Sequence, residues 1–173
     1  WDGAAWTPLG NSATGGGVSQ TPGASQLATL AIGAGGTPLV AWYDSTPDQR
    51  EIYAVQWNGS AWVAAGVGAN SGGGISNTPG ESREANLAVG PSGTPYVVWQ
   101  EETGNAEVYG RQLRGGRWQE IGVGSASGGG ISDNGSRSSV PVIAVAPDGR
   151  LFVAWEDTSS GDTEIYVKFH DAP

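Results

Sequence analysis

The sequence contains no cysteine and no methionine, and its one histidine is His170. Without cysteine the chain can form neither disulfide bonds nor thiolate metal sites. A single histidine also leaves no Cys/His cluster for zinc and no plausible Ser-His-Asp arrangement. These absences predict a protein with no metal and no cofactor.

Basic residues are scarce as well. The 173 residues include eight Lys and Arg against 17 Asp and Glu, which gives a formal net charge of −9. Such a chain repels phosphate backbones, offers no basic segment to anionic lipids, and has no apolar run of about 18 residues. We therefore expect neither nucleic-acid binding nor membrane insertion. The acidic, Lys-poor composition, rich in Gly, Ser, Thr and Trp, indicates an extracellular protein.

Glycine and proline are abundant: the chain has 30 Gly and 10 Pro, together with eight Trp. Although such a composition also occurs in disordered chains, the apolar runs Thr94–Gln100 and Leu151–Asp157 indicate short strands joined by tight turns. No segment shows the apolar spacing and the capping residues of a helix. The sequence therefore predicts an all-β fold.

One pattern occurs three times along the chain. The corner motifs, spaced by 56 residues, are WDGAAW at Trp1–Trp6, WNGSAW at Trp57–Trp62 and LRGGRW at Leu113–Trp118. The glycine triplets keep that spacing within one residue and lie at Gly15–Gly17, Gly72–Gly74 and Gly128–Gly130. A period that runs through the whole chain is typical of repeat architectures. We divide the chain, as a single propeller segment, into repeats 1–56, 57–112 and 113–173.

Each repeat contains four strand-like segments. In the second repeat these are ANLAVGP, TPYVVWQE, AEVYGRQLR and RWQEIGVG, separated by turn residues. Four antiparallel strands in sequence order form one blade of a β-propeller, so we predict three blades per chain. The glycine triplet is then the connector between blades, where a sharp turn and close packing favour glycine. A second interpretation is that the connector binds a ligand through free backbone N–H groups.

The blades are permuted relative to the sequence. We expect residues 1–10 to form the outer strand of a blade whose other strands come from 138–170. Three blades in one chain would each have to span about 120°, far more than the twist of a four-stranded sheet provides. We therefore expect oligomerisation to complete the ring, with six blades in a homodimer favoured over nine in a trimer. The remaining possibility is a segment of a longer repeat array.

The corner motifs and the DGRLFVAWED…EIYV run resemble bacterial and fungal propeller lectins, especially the fucose-binding ones. The resemblance implies a propeller and rings built from short chains. That family uses an Arg and a Glu with a Trp between adjacent blades. Here Ala54 and Gly110 occupy the position of the Glu, and the corresponding strands carry no Arg, so fucose specificity is not implied. The S-x-D-x-G-x-T-W turn of sialidase-like propellers is also absent.

Three sets of equivalent residues form the candidate ligand site. They are the strand tryptophans Trp42, Trp99 and Trp155, the carboxylates Asp44, Glu101 and Asp157, and the central triplet glycines Gly16, Gly73 and Gly129. Indole faces stack on sugar C–H patches, and carboxylates accept hydrogen bonds from sugar hydroxyls. The other interpretation is that the tryptophans fill the core between blades and the carboxylates lie at solvated turns. An alternative sugar platform is formed by Trp1 and Trp57, with Trp6 and Trp62 nearby.

Threefold repetition of the site argues against an enzyme. Hydrolysis by two carboxylates needs one asymmetric cleft, whereas repeated sites suit multivalent binding. We interpret His170 as a corner residue, because Trp57 and Leu113 fill its position in the other repeats. The sequence therefore predicts a non-enzymatic, carbohydrate-binding propeller with weak, equivalent sites. The alternative is a structural or protein-interaction module with no small-molecule ligand.

Overall fold

The computed structural model describes residues 3–46 and 48–171. Within these ranges the chain forms eleven strands and one three-residue 3-10 turn, Ala34–Gly36, so the all-β prediction is confirmed. The strands are β1 Ser25–Ile32, β2 Pro38–Asp44, β3 Glu51–Trp57, β4 Trp62–Ala64, β5 Glu81–Val89, β6 Pro95–Glu102, β7 Ala106–Arg114, β8 Arg117–Glu120, β9 Ser138–Val145, β10 Leu151–Asp157 and β11 Glu164–His170. A helix with the length and apolar character to span a membrane is absent from the described residues.

The strands form three antiparallel sheets in which each strand pairs with its neighbours in sequence. Blade 1 contains β1–β4, blade 2 contains β5–β8, and blade 3 contains β9–β11. The four-stranded order predicted for a repeat is therefore present in blades 1 and 2. Within the described residues blade 3 has three strands, with β11 at its outer edge.

The segment expected to complete a blade forms no strand in this single chain. Residues 3–10 adopt bends and turns, and Trp1 and Asp2 lie outside the described residues. All seven residues of β11 are exposed. Pairing of residues 1–10 with the strands of 138–170 stays a prediction.

The core lies in layers between successive blades. Strand β6 belongs to the middle blade, and its residues Pro95–Glu101 are buried on both faces. Val97 and Trp99 belong to the same buried cluster as Leu39 of blade 1, whereas Val98 belongs to the cluster that contains Val153 of blade 3. Burial on both faces explains why Pro95–Trp99 is an unbroken apolar run rather than an alternating one.

The innermost strand of each blade contains a bulge at an equivalent position. Leu27, Glu84 and Val140 have φ angles of 49°, 52° and 51°. Pairing with the second strand shifts register beside each of them. Left-handed backbone is unfavourable for these residue types, and most of all for β-branched valine. Because the strain recurs with three different side chains, we attribute it to blade geometry rather than to local sequence.

We predict that Val140→Gly stabilises the protein by about 1 kcal/mol. Relief of about 1–3 kcal/mol of backbone strain exceeds the entropic cost of glycine, about 0.5–1 kcal/mol. The control is Val142→Gly, since Val142 is similarly exposed in the same strand but has no positive φ. The control should destabilise by about 1 kcal/mol. Urea unfolding followed by tryptophan fluorescence measures both changes, and equal destabilisation by the two variants would contradict strain at Val140.

Candidate functional site

A buried carboxylate follows the central tryptophan of each second strand. It accepts hydrogen bonds from the indole Nε1 two residues earlier, from a serine hydroxyl of the innermost strand, and from a connector side chain, at 2.6 to 3.1 Å. We call this set the carboxylate clasp. Its copies are Asp44 with Trp42, Ser25 and Thr21; Glu101 with Trp99, Ser82 and Thr78; and Asp157 with Trp155, Ser138 and Asn134.

Two of the clasp carboxylates cap the turns that follow them, and none of the three is solvated. Asp44 accepts the backbone N–H of Thr46 at 2.8 Å, and Asp157 accepts that of Ser159 at 2.9 Å. All three clasp carboxylates have 0% exposed surface. The interpretation of these groups as solvated turn residues is therefore wrong, because the connector covers them.

Hydrogen bonding keeps the two clasp aspartates charged. Burial alone raises the pKa of Asp157, but bonds from Ser159, Trp155 and Asn134 outweigh it and hold that pKa well below its usual value. Burial is outweighed in the same way at Asp44, where hydroxyl and indole donors lower the pKa. Both side chains are therefore fixed anionic acceptors at neutral pH.

The structure brings each predicted tryptophan together with its predicted carboxylate, below the surface. The exposed fractions of Trp42, Trp99 and Trp155 are 2%, 0% and 3%. Trp42 and Trp99 contact Tyr53 and Tyr109 edge-on, with ring centroids 6.3 and 6.0 Å apart. This burial favours the core interpretation of the tryptophans. A role of these residues in ligand contact stays a prediction.

The central triplet glycines close a tight turn in each connector. Their carbonyls accept the backbone N–H of the residue four positions later, and the pairs are Gly16 with Gln20, Gly73 with Asn77, and Gly129 with Asp133, at 3.1, 2.8 and 2.8 Å. A Cβ on Gly73 would overlap the side chain of Asn77. Close approach therefore explains these glycines in the connector, and their contact with a ligand also stays a prediction.

Each connector bonds to the two blades that it joins. Ser76 accepts the N–H of Ile52 at 2.8 Å and donates to Glu51, both on the third strand of blade 1. Thr78 donates to the clasp of blade 2. Asn77 lies between them with φ of 43°, and this left-handed residue directs the flanking side chains to different blades. The next connector repeats the arrangement with Ser132, Asp133 and Asn134.

A polar groove of about 380 Å³ lies between the first two connectors. Hydroxyl and amide side chains predominate in it, namely Gln20, Thr21, Thr46, Asn70 and Ser71, with Pro22, Tyr53 and Gly72. The hydroxyl of Tyr53 is held by the carbonyl of Gly72. Sequence reasoning missed these polar residues, although the repeated Thr-Pro pair at Thr21 and Thr78 was a signal for them.

The corner tryptophans differ from the strand tryptophans in exposure. Trp57 and Trp62 are partly exposed and pack edge-on, with ring centroids 5.7 Å apart. Trp6 is 86% exposed, and Trp1 lies outside the described residues. Of the alternatives drawn from the sequence, the corner is therefore the one that has exposed indole surface.

The remaining ionisable groups form no metal centre in the part of the chain that the structure describes. Glu51 and Glu107 are buried and bonded to the connector serines Ser76 and Ser132. Burial raises the pKa of Glu51 despite these bonds. His170 lies against Gly122, a placement that fits a corner residue.

The sequence matches no family model and no curated protein, but solved structures match its shape. The alpha-L-arabinofuranosidase of Fusarium graminearum in complex with arabinobiose is 16% identical, with a TM-score of 0.60 over 86% of this chain and 45% of that chain. A protein of unknown function from Dyadobacter fermentans is 12% identical, with a TM-score of 0.57 over 86% of this chain and 52% of that one. A fucose lectin from Kordia zhangzhouensis in complex with methyl-fucoside is 12% identical, with a TM-score of 0.51 over 83% and 96% of the two chains.

These similarities define the class of fold. The neighbours are β-propellers, so the three sheets of this protein are propeller blades. The chain spans about half the length of the arabinofuranosidase and of the Dyadobacter protein. At such identities the likeness shows the fold alone.

We predict that Asp157→Asn lowers the free energy of unfolding at neutral pH and makes that free energy less sensitive to acid. The amide of the variant places an N–H donor opposite the side-chain donors that bond to the carboxylate. This lowers the free energy of unfolding by about 2 kcal/mol. Because the folded-state pKa of Asp157 is lowered, its contribution is complete above about pH 4 and is lost as pH falls below that value. Thermal unfolding between pH 7 and pH 2 should show the two proteins converging in acid.

The matched control for that experiment is Asp162→Asn, in the exposed turn that follows. It should leave both the stability and its pH profile close to those of the unchanged protein. Parallel profiles for Asp157→Asn and the unchanged protein would contradict the role assigned to the clasp.

Proposed function

We propose that this protein is a non-catalytic carbohydrate-binding propeller whose sites are the grooves between successive connectors. The observation that carries the proposal is the groove lined by Gln20, Thr46, Asn70 and Ser71. Sugar hydroxyls both donate and accept hydrogen bonds, and amide and hydroxyl side chains can do the same. A groove of about 380 Å³ suits one or two sugar residues.

The chemistry of the groove recurs one repeat later. Asn77, Thr78, Thr103 and Ser127 occupy the positions of Gln20, Thr21, Thr46 and Ser71. The position of Asn70 is filled by Ala126, so one amide of the lining is not repeated. Tyr109 donates to the carbonyl of Gly128 at 2.5 Å, as Tyr53 does to Gly72. Equivalent shallow sites of this kind bind weakly one at a time, with Kd of about 10 µM to 1 mM, and gain avidity together.

The positions of the carboxylates support a binding role rather than a hydrolytic one. Glycoside hydrolysis needs two carboxyl groups that face one cleft. Here the recurrent carboxylates on the second strands are clasp acceptors, and Glu51 and Glu107 are bonded to serines. The sugar complexes of the Fusarium and Kordia proteins make a carbohydrate a reasonable first ligand class. Fucose itself is not implied, since Ala54 lies in the core where the lectin family has a carboxylate.

One observation favours a second function. The strand tryptophans are buried in all three repeats, as a purely structural or protein-interaction module requires. Such a module would use the blades as a scaffold and would bind no sugar in the grooves. Screening for glycans separates the two functions directly.

We expect a glycan array to identify a ligand and titration calorimetry to give two sites per chain, one in each groove between its successive connectors. Gln20→Ala should lower the affinity of one site about tenfold, which corresponds to one good hydrogen bond. Gln119→Ala is the matched control, because Gln119 is exposed on β8 and away from the groove. If the folded protein gives no signal on the array, the carbohydrate proposal is contradicted and the structural or protein-interaction function is favoured. Equal affinities of the Gln20→Ala and Gln119→Ala variants would show that the sugar does not bind at Gln20.

A further inference from the structure

The tripeptide Asn-Gly-Ser occurs at two places in the chain, Asn58–Ser60 and Asn134–Ser136. The first copy forms the turn between β3 and β4, and the second lies in the connector that leads to blade 3. An asparagine followed by glycine cyclises readily, because glycine places no side chain beside the attacking backbone nitrogen. Since the two copies are identical in sequence, a difference in their reactivity comes from the structure around them.

The reaction needs only water as a co-reactant. The backbone nitrogen of glycine attacks Cγ of the asparagine and loses its proton to solvent, which places a negative charge on Oδ1. The Cγ–Nδ2 bond then breaks, and Nδ2 takes up a proton and leaves as ammonia. Water opens the resulting succinimide at one of its two carbonyls and gives aspartate or isoaspartate. Hydrogen-bond donors at Oδ1 and a free Nδ2 therefore favour the reaction.

The turn at Asn58 supplies both conditions. Its Oδ1 accepts the backbone N–H of Ser60 at 3.0 Å, the hydroxyl of Ser60 at 3.0 Å and the backbone N–H of Ala61 at 2.8 Å. Three donors at these distances stabilise a developing oxyanion. Asn58 and Gly59 are exposed to water, and Nδ2 of Asn58 bonds to no other group among residues 3–46 and 48–171.

The clasp removes both conditions at Asn134. Its Nδ2 donates to Asp157 at 2.7 Å and to Ser138 at 3.3 Å, so the leaving group is held in place. Its Oδ1 accepts one N–H, from Ser136 at 2.8 Å. The negative charge of the intermediate would also form beside the buried carboxylate of Asp157, and like charges at short distance repel.

The products differ in the same direction as the intermediates. Aspartate at position 58 would accept the same three bonds, and bonds to a charged acceptor are the stronger ones. It would also give this corner the Asp-Gly pair of the corner WDGAAW. Aspartate at position 134 would instead place a second carboxylate against Asp157, where the clasp needs a donor. The reaction is therefore compatible with the fold at Asn58 and incompatible with it at Asn134.

We propose that Asn58 is a site of spontaneous deamidation in the folded protein, and that the clasp protects Asn134 from the same reaction. The modification adds a negative charge to the corner between Trp57 and Trp62. In the folded protein Asn134 should react about 10- to 100-fold more slowly than Asn58, as expected from a hydrogen bond to a charged partner that must break. The proposal does not depend on the carbohydrate proposal, since it rests on bonds within two turns.

Incubation in mildly alkaline, heavy-oxygen water tests the difference, because opening of the succinimide incorporates one oxygen atom from the solvent. Cleavage after arginine separates the two sites into peptides 51–83 and 118–137, and fragmentation in the mass spectrometer assigns the label to a residue. We expect label at position 58 in the folded protein and very little at position 134. In urea the two identical tripeptides should react at similar rates, and Asn58 no faster than in the folded protein.

Three results would overturn the proposal. They are an Asn58 that stays an amide in the folded protein but reacts in urea, equal rates at the two sites in the folded protein, and no reaction at either site in urea. Each of them is read from the same pair of peptides.

A serine variant tests the donors at Oδ1. Ser60→Ala removes the hydroxyl donor and keeps the two backbone donors, so the reaction at Asn58 should slow by about 2- to 10-fold, the effect of one hydrogen bond. Ser136→Ala is the matched control, because the bond from Ser136 to Asn134 is made by its backbone N–H. It should change the rate at neither site. An unchanged rate at Asn58 in a folded Ser60→Ala protein would contradict the role of the three donors.

Discussion

The bonds by which each connector holds two blades are the interaction on which the rest of this structure depends. A serine fixes the third strand of the blade that the connector leaves, and a threonine or asparagine two residues later enters the clasp of the next blade. Because both attachments are short, and are buried at the serine and partly buried at the clasp, neighbouring blades keep one spacing. That spacing buries the strand tryptophans, and it makes adjacent connectors the two walls of the polar groove.

Much of the fold follows from periodicity and turn chemistry. The corner motifs, glycine triplets and apolar runs recur at one spacing, and this suffices to define blades, strand order and connectors. The three strands of the last sheet follow from the same alignment. The bulges do not, because nothing about Leu27 or Val140 as residue types indicates left-handed backbone. They arise from the packing of innermost strands around an axis, which a single repeat does not contain.

The candidate site shows where inference from residue types ends. Tryptophan and a carboxylate two residues apart on a strand lie on one face, which permits an indole-to-carboxylate bond as readily as a sugar site. Only the position of the connector over Trp99 and Glu101 decides between the two, and that is a tertiary feature. The groove residues were overlooked for the opposite reason. In the sequence, Asn70 and Ser71 are ordinary turn residues. Only the packing of two connectors side by side brings them into one groove.

The clasp is closed within one repeat, whereas the bonds between blades are made with whichever repeat comes before or after. Thr21 and Asp44 are 23 residues apart, as are Thr78 and Glu101, and Asn134 and Asp157. A gene of this kind can therefore duplicate or delete a whole repeat in frame without breaking a clasp, since each new copy brings its own. Selection can then change the number of repeats per gene without disturbing the hydrogen bonds inside the repeats that remain.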